Sequence, residues 1–527
     1  MSTTARGWFF RIALLVVVVR PGRAQQVPDG ISVETLASGL SAPTGFEFLP
    51  DGRALFVEQF TARVRLFREG TGVQTTPVIT VAGVSAGGER GLLGVAVDPR
   101  YPAFPYLYLY YDYAATSKIR ISRYTLSGNL SGVGGGDLTA DPATRFDLLD
   151  AIPDAASNHN GGTLRFGLDG LLYASLGDDA NSCAAQTPGL RGAILRMETR
   201  TLPPGPGLAF YAQLAVADNP FHASTDSAAK LVAVHGLRNP FRIQLDPGTG
   251  DWMLGDVGLT LREELDLLSP PGGSGLYSPL GTNFGWPYYE GTTLRSSTAC
   301  GTMPAGMVLP VFDYDRTQQA DAAIIAAGIY RSQQGQPHTL PADHVGDLFA
   351  NDYYSGVLYR LKKSGGVWTF PAPIPGQPAA QHWGEGFTEI SDWRVGPDGA
   401  FWFCRQSVNF AAGSGLIGRV WGPGTLGVPP PEPHVSGYEL RLRVSPAVGK
   451  AQLDVATPIA ATLCIVDAQG RFVRRLPDGA GGVAPGALRT LLWDGRDDAG
   501  RDVPPGLYFA QLESRAVRTS VRVPFLR

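Results

Sequence analysis

The chain is poor in cysteine, with 4 in 527 residues, and poor in charge, Asp, Glu, Lys and Arg together making only 17%. So few cysteines exclude a small disulfide-knit scaffold, and the length suffices for two or three domains with cores of their own. Low charge against 44% hydrophobic residues excludes a largely disordered chain, which needs self-repulsion and little to bury. A basic excess is missing too: 44 Lys and Arg stand against 47 Asp and Glu, a formal charge of -3. Nucleic acid, whose phosphates demand a basic surface to displace their counterions, is therefore not an expected partner. No stretch approaches the roughly 18 apolar residues of a membrane helix, and no amphipathic helical pattern runs for about 12 residues or more.

Glycine and proline are abundant, 67 and 42. They lack the three-residue period of collagen, so they read as punctuation between many short strands. A turn, holding Asp-Gly or Asp-Pro in all but the fifth case, recurs beside a strand of alternating aromatic and aliphatic residues: FLPDGRALFVEQ (48–59), VAVDPRYPAFPYLYLYYD (95–112), FGLDGLLYASLGDD (166–179), IQLDPGTGDWMLGDVG (243–258), VGDLFANDYYSGVLYRL (345–361) and VGPDGAFWFCRQ (395–406). Asp-Gly supplies the positive φ of a tight hairpin, and alternation turns one strand face inward. Six occurrences at irregular spacing exclude a short solenoid repeat and suit propeller blades with long inserted loops. The expected fold is all-β, a six-bladed β-propeller over 28–421; a jelly roll or paired sandwiches are the alternatives.

Residues 1–24 combine Arg6 and Arg11, the apolar run Ile12 to Val19 and a small-residue end at Ala24, the arrangement of a signal peptide. At eight residues the run is too short to span a bilayer. The expected location is secreted, periplasmic or cell-surface, with no transmembrane helix in the mature chain. Export permits disulfides; Cys183 and Cys300, both in loop-like contexts, form the expected pair, and Cys404 and Cys464 read as buried free thiols. The Pro/Gly-rich stretch 422–437 reads as a linker. Beyond it, 438–527 holds alternating strands, a Trp493-Asp494-Gly495 turn and a Pro-Pro-Gly turn, the pattern of a small immunoglobulin-like β-sandwich.

Of the 7 histidines, His159 alone sits in a Gly-rich polar loop, SNHNGG (157–162), immediately before a blade strand. Such a loop carries an imidazole to the mouth of a propeller, where it can take a proton at neutral pH; a turn-satisfying histidine is the plainer reading. In HGLRNPFRIQLDP (235–247), Arg238 is a fixed cation for charge developing on an acceptor, and Pro240 holds Asn239 extended; a blade-bridging Arg is the plainer reading there. Glu89, Asp256, the run Arg262-Glu263-Glu264 and NFGWPYYEG (283–291) are further polar candidates.

Taken together, ERGLLGVAVDPRYP (89–102), SNHNGGTLRFGLDGLLYASLGDD (157–179), GLRNPFRIQLDP (236–247), GDVGLTLREEL (255–265) and NFGWPYYEG (283–291) resemble the soluble glucose/sorbosone dehydrogenase family, six-bladed propellers that oxidise aldoses with pyrroloquinoline quinone (PQQ). HNGG and NFGWP are also similar to the Hedgehog-interacting-protein-like branch, where dehydrogenase activity is not assured. The resemblance implies a sugar substrate and an electron acceptor. His159 is then the general base that deprotonates the anomeric hydroxyl so that hydride leaves C1 for the quinone. Arg238 stabilises the reduced quinone oxygen, and Glu89 and Asn239 contact the cofactor. Gly258 and Leu259 hold Ca²⁺ through backbone carbonyls, as a hard cation prefers oxygen. The sequence departs from the family where basic residues are expected to clamp the cofactor's carboxylates: Tyr354, Glu389 and Ser391 stand there, and Arg394, Arg331 or Arg360 are the candidates to compensate. The C-terminal residues resemble FlgD-type immunoglobulin-like domains, implying sorting or surface attachment. Two other readings follow from the residues: a non-catalytic propeller binding carbohydrate or protein, and a metal-dependent lactonase using Glu89, Asp256, Asn239 and Asn283.

Overall fold

The computed structural model describes residues 24–525 except 134–135, 317–320, 333–335, 423–440, 448–449, 458–461, 468–470, 477–485, 505 and 514–517. The expected signal peptide and linker fall almost wholly outside the described residues. Two compact units are present, one holding the described residues up to 422 and one those from 441.

In the larger unit the alternating patterns become strands of six largely antiparallel sheets. The first strand of each is Pro43–Phe48, Leu92–Val97, Leu164–Phe166, Pro240–Leu245, Ile324–Ile329 and Ile390–Val395 in turn. Each sheet packs on the next through these strands, except that the third meets the fourth through its second strand, and the sixth packs back on the first. The sheets therefore close a ring. Its core is distributed: a separate apolar cluster fills each interface between neighbours, for example Leu55, Val57, Leu92 and Leu109 between the first two sheets and Trp393, Phe401, Phe349 and Phe387 between the last two. Ser32–Leu40 completes the sixth sheet from the other end of the unit, pairing antiparallel with Gly415–Trp421. Helix is scarce; the one α-helix among the described residues is Tyr211–Leu214.

Turn chemistry explains the hairpins that start the first, third and sixth sheets. Gly52, Gly170 and Gly399 take φ of +90°, +74° and +88°, open to glycine without steric cost. The preceding Asp51, Asp169 and Asp398 each accept the N–H two residues on, at 3.0, 3.1 and 3.2 Å. The repeat at 345–361 is different: it spans the second and third strands of the fifth sheet, Leu348–Asp352 and Leu358–Ser364. That sheet's first connection runs over 330–347 and carries no Asp-Gly turn.

The ring axis is crossed by polar groups. Arg242, fully buried, donates to the carbonyls of Thr44, Leu93 and Ser391, which belong to three sheets, and Arg165 pairs with Asp392 at 2.6 Å. These guanidiniums satisfy inward carbonyls that apolar side chains, having no N–H to give, would leave unpaired.

The smaller unit is two packed antiparallel sheets, Arg441–Ala447, Lys450–Thr457 and Gly486–Trp493 in one and Phe472–Leu476, Thr462–Asp467, Gly506–Glu513 and Arg518–Phe525 in the other. Leu453, Ile465, Trp493, Tyr508 and Phe525 are in its core. Cys464 is half-buried, not buried as expected, because the alternation gives the core face to Leu463 and Ile465. Cys404 is buried and free, and Cys183 and Cys300 form a disulfide.

Candidate active site

The expected site residues gather at one end of the ring, where the chain enters the innermost strands. Gly161 and Gly177 permit the tight path before the third sheet's inner strand: a Cβ on Gly177 would lie 1.9 Å from the His159 carbonyl oxygen, and one on Gly161 would lie 2.4 Å from that of Ser175. His159 itself takes φ +60°, rare for a bulky residue. The Glu89 carboxylate holds it there, accepting the His159 N–H at 2.7 Å and the Asn239 side-chain amide at 3.1 Å. Asn239 in turn accepts the Gly161 N–H at 3.1 Å.

The imidazole lies between two charged partners. Nδ1 is 2.6 Å from Asp178 Oδ1, and Nε2 is 2.7 Å from Arg238 Nη2. A guanidinium can only donate, so Nε2 accepts, and the ring is the neutral tautomer whose Nδ1–H donates to Asp178. The second Asp178 oxygen accepts the Trp286 indole N–H at 2.9 Å. His159 is 8% exposed and Asp178 1%, so the pair works in a largely dry setting where such bonds are strong.

Arg238 is placed by its backbone. The Asp256 carboxylate accepts the N–H groups of Arg238 and Asn239 at 2.8 and 2.6 Å. Burial raises the Asp256 carboxyl to about 6, against the pull of those two N–H groups and of the Arg238 charge. The guanidinium donates to the Val257 carbonyl at 2.7 Å and lies 5.6 Å from the Trp286 ring centre. Burial also lowers its own pKa, with Asp178, Asp256, Glu263 and Glu89 opposing. Its Nε is buried without a partner, a donor aimed at nothing the protein supplies.

His159, Arg238, Asn239 and Glu89 are thus one connected network. Gly258 and Leu259 occupy the adjoining loop: the Gly258 carbonyl accepts Arg316 Nη1 at 2.6 Å, and the Leu259 N–H donates to Glu290. Tyr354 lies 43% exposed, its ring edge-on to Tyr353 and 6.3 Å from Phe410. Glu389 and Ser391 are buried supports. Glu389 accepts the Phe410 N–H at 2.9 Å and the Ser407 hydroxyl, while Ser391 donates to the Pro43 carbonyl at 3.0 Å.

None of the three arginines expected to compensate serves the site. Arg394 pairs with Glu47 at 2.9 Å and Arg331 with Asp246 at 2.7 Å, at the far ends of the inner strands. There Arg394 and Glu47 line a cavity of about 280 Å³ with Arg165 and Gln244. Arg360 is taken by Asp347 at 2.6 Å and by Asp343. Each had a carboxylate nearer than the site. Sequence reasoning singled out neither Asp178 nor Arg316, and held Glu290 only within NFGWPYYEG. Asp178 was legible in the LGDD end of its strand; Arg316, far along the chain from Gly258, left no local signal.

Among the described residues no group of three or more His, Cys, Asp or Glu could hold a metal ion. The four residues of the lactonase reading are spent on other bonds: Glu89 and Asn239 on each other, Asp256 on backbone N–H groups, Asn283 on Gln186 and Gly285.

The family model for glucose/sorbosone dehydrogenase matches residues 40–407. The chain belongs to the glucose/sorbosone dehydrogenase family. Within it, the chain is similar to the aldose sugar dehydrogenase YliI of Escherichia coli, 28% identical over 298 residues, which cover 54% of this chain and 70% of that one. It is also similar to the HIPL2 protein of Arabidopsis thaliana, 26% identical over 255 residues, 45% of this chain and 35% of that protein. It thus spans about a third of the plant protein's length. The PQQ-bound aldose sugar dehydrogenase of Streptomyces coelicolor shares the fold, with a TM-score of 0.52 and 24% identity over 75% of this chain and 99% of that one. No helix among the described residues is long and apolar enough to cross a membrane.

Proposed function

We propose that this glucose/sorbosone dehydrogenase family member oxidises an aldose or related sugar at C1 with PQQ as electron acceptor. The observation that carries this is the His159 imidazole, oriented by Asp178 on one side and met by Arg238 on the other. Bound at this mouth, the quinone supplies a two-electron acceptor for the hydride that leaves C1. The residues fit its reacting end: the partnerless Arg238 Nε is a donor waiting for an acceptor oxygen. They do not fit Ca²⁺ at Gly258, whose carbonyl is already engaged.

In this reading His159 Nε2 takes the anomeric hydroxyl proton. Asp178, which accepts the Nδ1–H through one oxygen and the Trp286 N–H through the other, stabilises the imidazolium that results. The Nε2 lone pair is capped by Arg238, so the base is freed when Arg238 gives its N–H to an incoming oxygen. Trp286 and Glu89 act by position, one fixing Asp178 and the other fixing the strained His159 backbone. The test is to add PQQ to purified protein and assay dye reduction with an aldose panel. Turnover supports the reading; absence of both turnover and quinone binding rejects it.

Tyr354, Glu389 and Ser391, none of them basic, favour one alternative, a propeller that binds carbohydrate or protein without turnover; glycan binding without quinone binding would establish it. Export is supported by the apolar run 12–19 and by the Cys183–Cys300 disulfide, a bond that persists in oxidising compartments. The C-terminal unit, read as FlgD-type and immunoglobulin-like, serves sorting or attachment; a chain ending near residue 422 should then keep its activity and lose its placement.

A further inference from the structure

We propose that the Arg316 guanidinium stands in for a divalent cation at this site, holding the Gly258 carbonyl and presenting the positive charge that an anionic quinone meets there. The inference rests on the quinone reading above and adds that its binding needs no metal.

A hard cation at the Gly258 loop would need the Gly258 oxygen as a ligand. Arg316 Nη1 donates to that oxygen at 2.6 Å and to Glu263 Oε1 at 2.6 Å. A divalent ion on the same oxygen would lie within about 5 Å of the guanidinium, where like charges repel strongly in a dry setting. The arginine is also built in. Its side chain is 13% exposed, Glu263 is 0% exposed, and its backbone N–H donates to the Leu261 carbonyl at 3.0 Å. The second Glu263 oxygen accepts the N–H groups of Ile324 at 2.9 Å and Gly258 at 3.3 Å.

The loop cannot easily turn its carbonyl elsewhere. Glu290 Oε1 accepts four consecutive N–H groups, those of Leu259, Thr260 and Leu261 at 2.7 Å and of Arg262 at 3.2 Å. That fixes the backbone leaving Gly258. Arg316 also adjoins the His159 network: it binds the Gly258 carbonyl, and Arg238 binds the carbonyl of the preceding residue, Val257. Burial pushes the Tyr354 hydroxyl up, Asp321, Glu89 and Asp352 add to this, and Arg316 opposes it. One hydroxyl thus feels both Arg316 and the Glu89 that fixes His159. Tyr354 is the position where the family resemblance expects a lysine, so the missing positive charge is restored from a different loop.

The experiment is absorbance titration of the purified full chain with PQQ, in Ca²⁺ and in chelator, beside equilibrium dialysis with radioactive Ca²⁺. Expected are equal quinone affinities in the two conditions, within about 2-fold, and no stoichiometric Ca²⁺. Arg316→Gln should weaken quinone binding at least about 10-fold, as for a lost charge-assisted hydrogen bond, with Arg316→Lys recovering part. Quinone binding that requires Ca²⁺, stoichiometric Ca²⁺ in the wild type, or a folded Arg316→Gln protein that binds quinone normally would each overturn the inference and leave the dehydrogenase reading standing. If the wild type binds no quinone under either condition, both fall. Should Arg316→Gln fail to fold, judged by its melting curve, the wild-type titration and dialysis decide.

Discussion

One imidazole with a carboxylate at Nδ1 and a guanidinium at Nε2 has its tautomer fixed by its neighbours, and this makes the roles separable by mutation. His159→Ala should lower the sugar-oxidation rate about 100-fold or more, the range of a lost general base, with quinone affinity little changed. Asp178→Asn should cost roughly 10- to 100-fold. Asp178 serves two N–H donors through two oxygens, whereas an amide offers one oxygen and turns its NH₂ on the other donor, a loss of about 1–3 kcal/mol. Steady-state kinetics on both variants checks this. At this scale the sequence was informative where a short motif holds the residue and its reason together. His159 beside Gly161 and Gly162 is such a case, as is Arg238 beside Asn239 and Pro240. It was silent where the reason lies across the ring: Arg316 matters only because folding brings it to Gly258, and Arg394, Arg331 and Arg360 are spent on carboxylates that no local pattern identifies.

Among the elements, the loop from Gly258 to Arg262 is the one most dependent on a single side chain. Glu290→Gln replaces a carboxylate oxygen that accepts four N–H groups with a neutral amide. Amides 259–262 should then exchange hydrogen faster, by a factor of roughly 10 or more for a loss of about 1–3 kcal/mol; mass-spectrometric exchange on that peptide reads it. The loops around Asp178 and Trp286 are tied instead by Cys183–Cys300, closing 117 residues of chain. Replacing both cysteines by serine should lower unfolding stability by about 2–5 kcal/mol, measured by denaturant titration. Hairpins were legible wherever Asp-Gly forced the turn. The fifth sheet's repeat, 345–361, falls on its second and third strands, and its first connection, 330–347, carries no such dipeptide.

The whole ring is a polar-centred object, and its stability should show it. Burial pushes Asp112 up to about 8, Asp256 to about 6 and Glu263 to about 8. Carboxyls raised in this way bind their protons more tightly folded than unfolded. Their contribution is therefore undiminished below the ordinary value near 4 and is lost as pH rises from about 4 to about 8. Asp112→Asn should flatten the fall of melting temperature across that window, which thermal scans at stepped pH would show. Removing Arg242 by Arg242→Ala would orphan the inward carbonyls of Thr44, Leu93 and Ser391, at about 1–3 kcal/mol each. The six-sheet count could be inferred from the recurring turns. The guanidinium crossing of the axis could not, since RNPFR reads equally well as a surface loop.

The strand Ser32–Leu40 has its partner at Gly415–Trp421, so a ribosome releases one nearly four hundred residues before the other. Until then an early-made ribbon waits with bare edges. The last sheet cannot be sealed until the segment ending at Trp421 has been released, and the waiting edge is the place where a holding chaperone has most to protect.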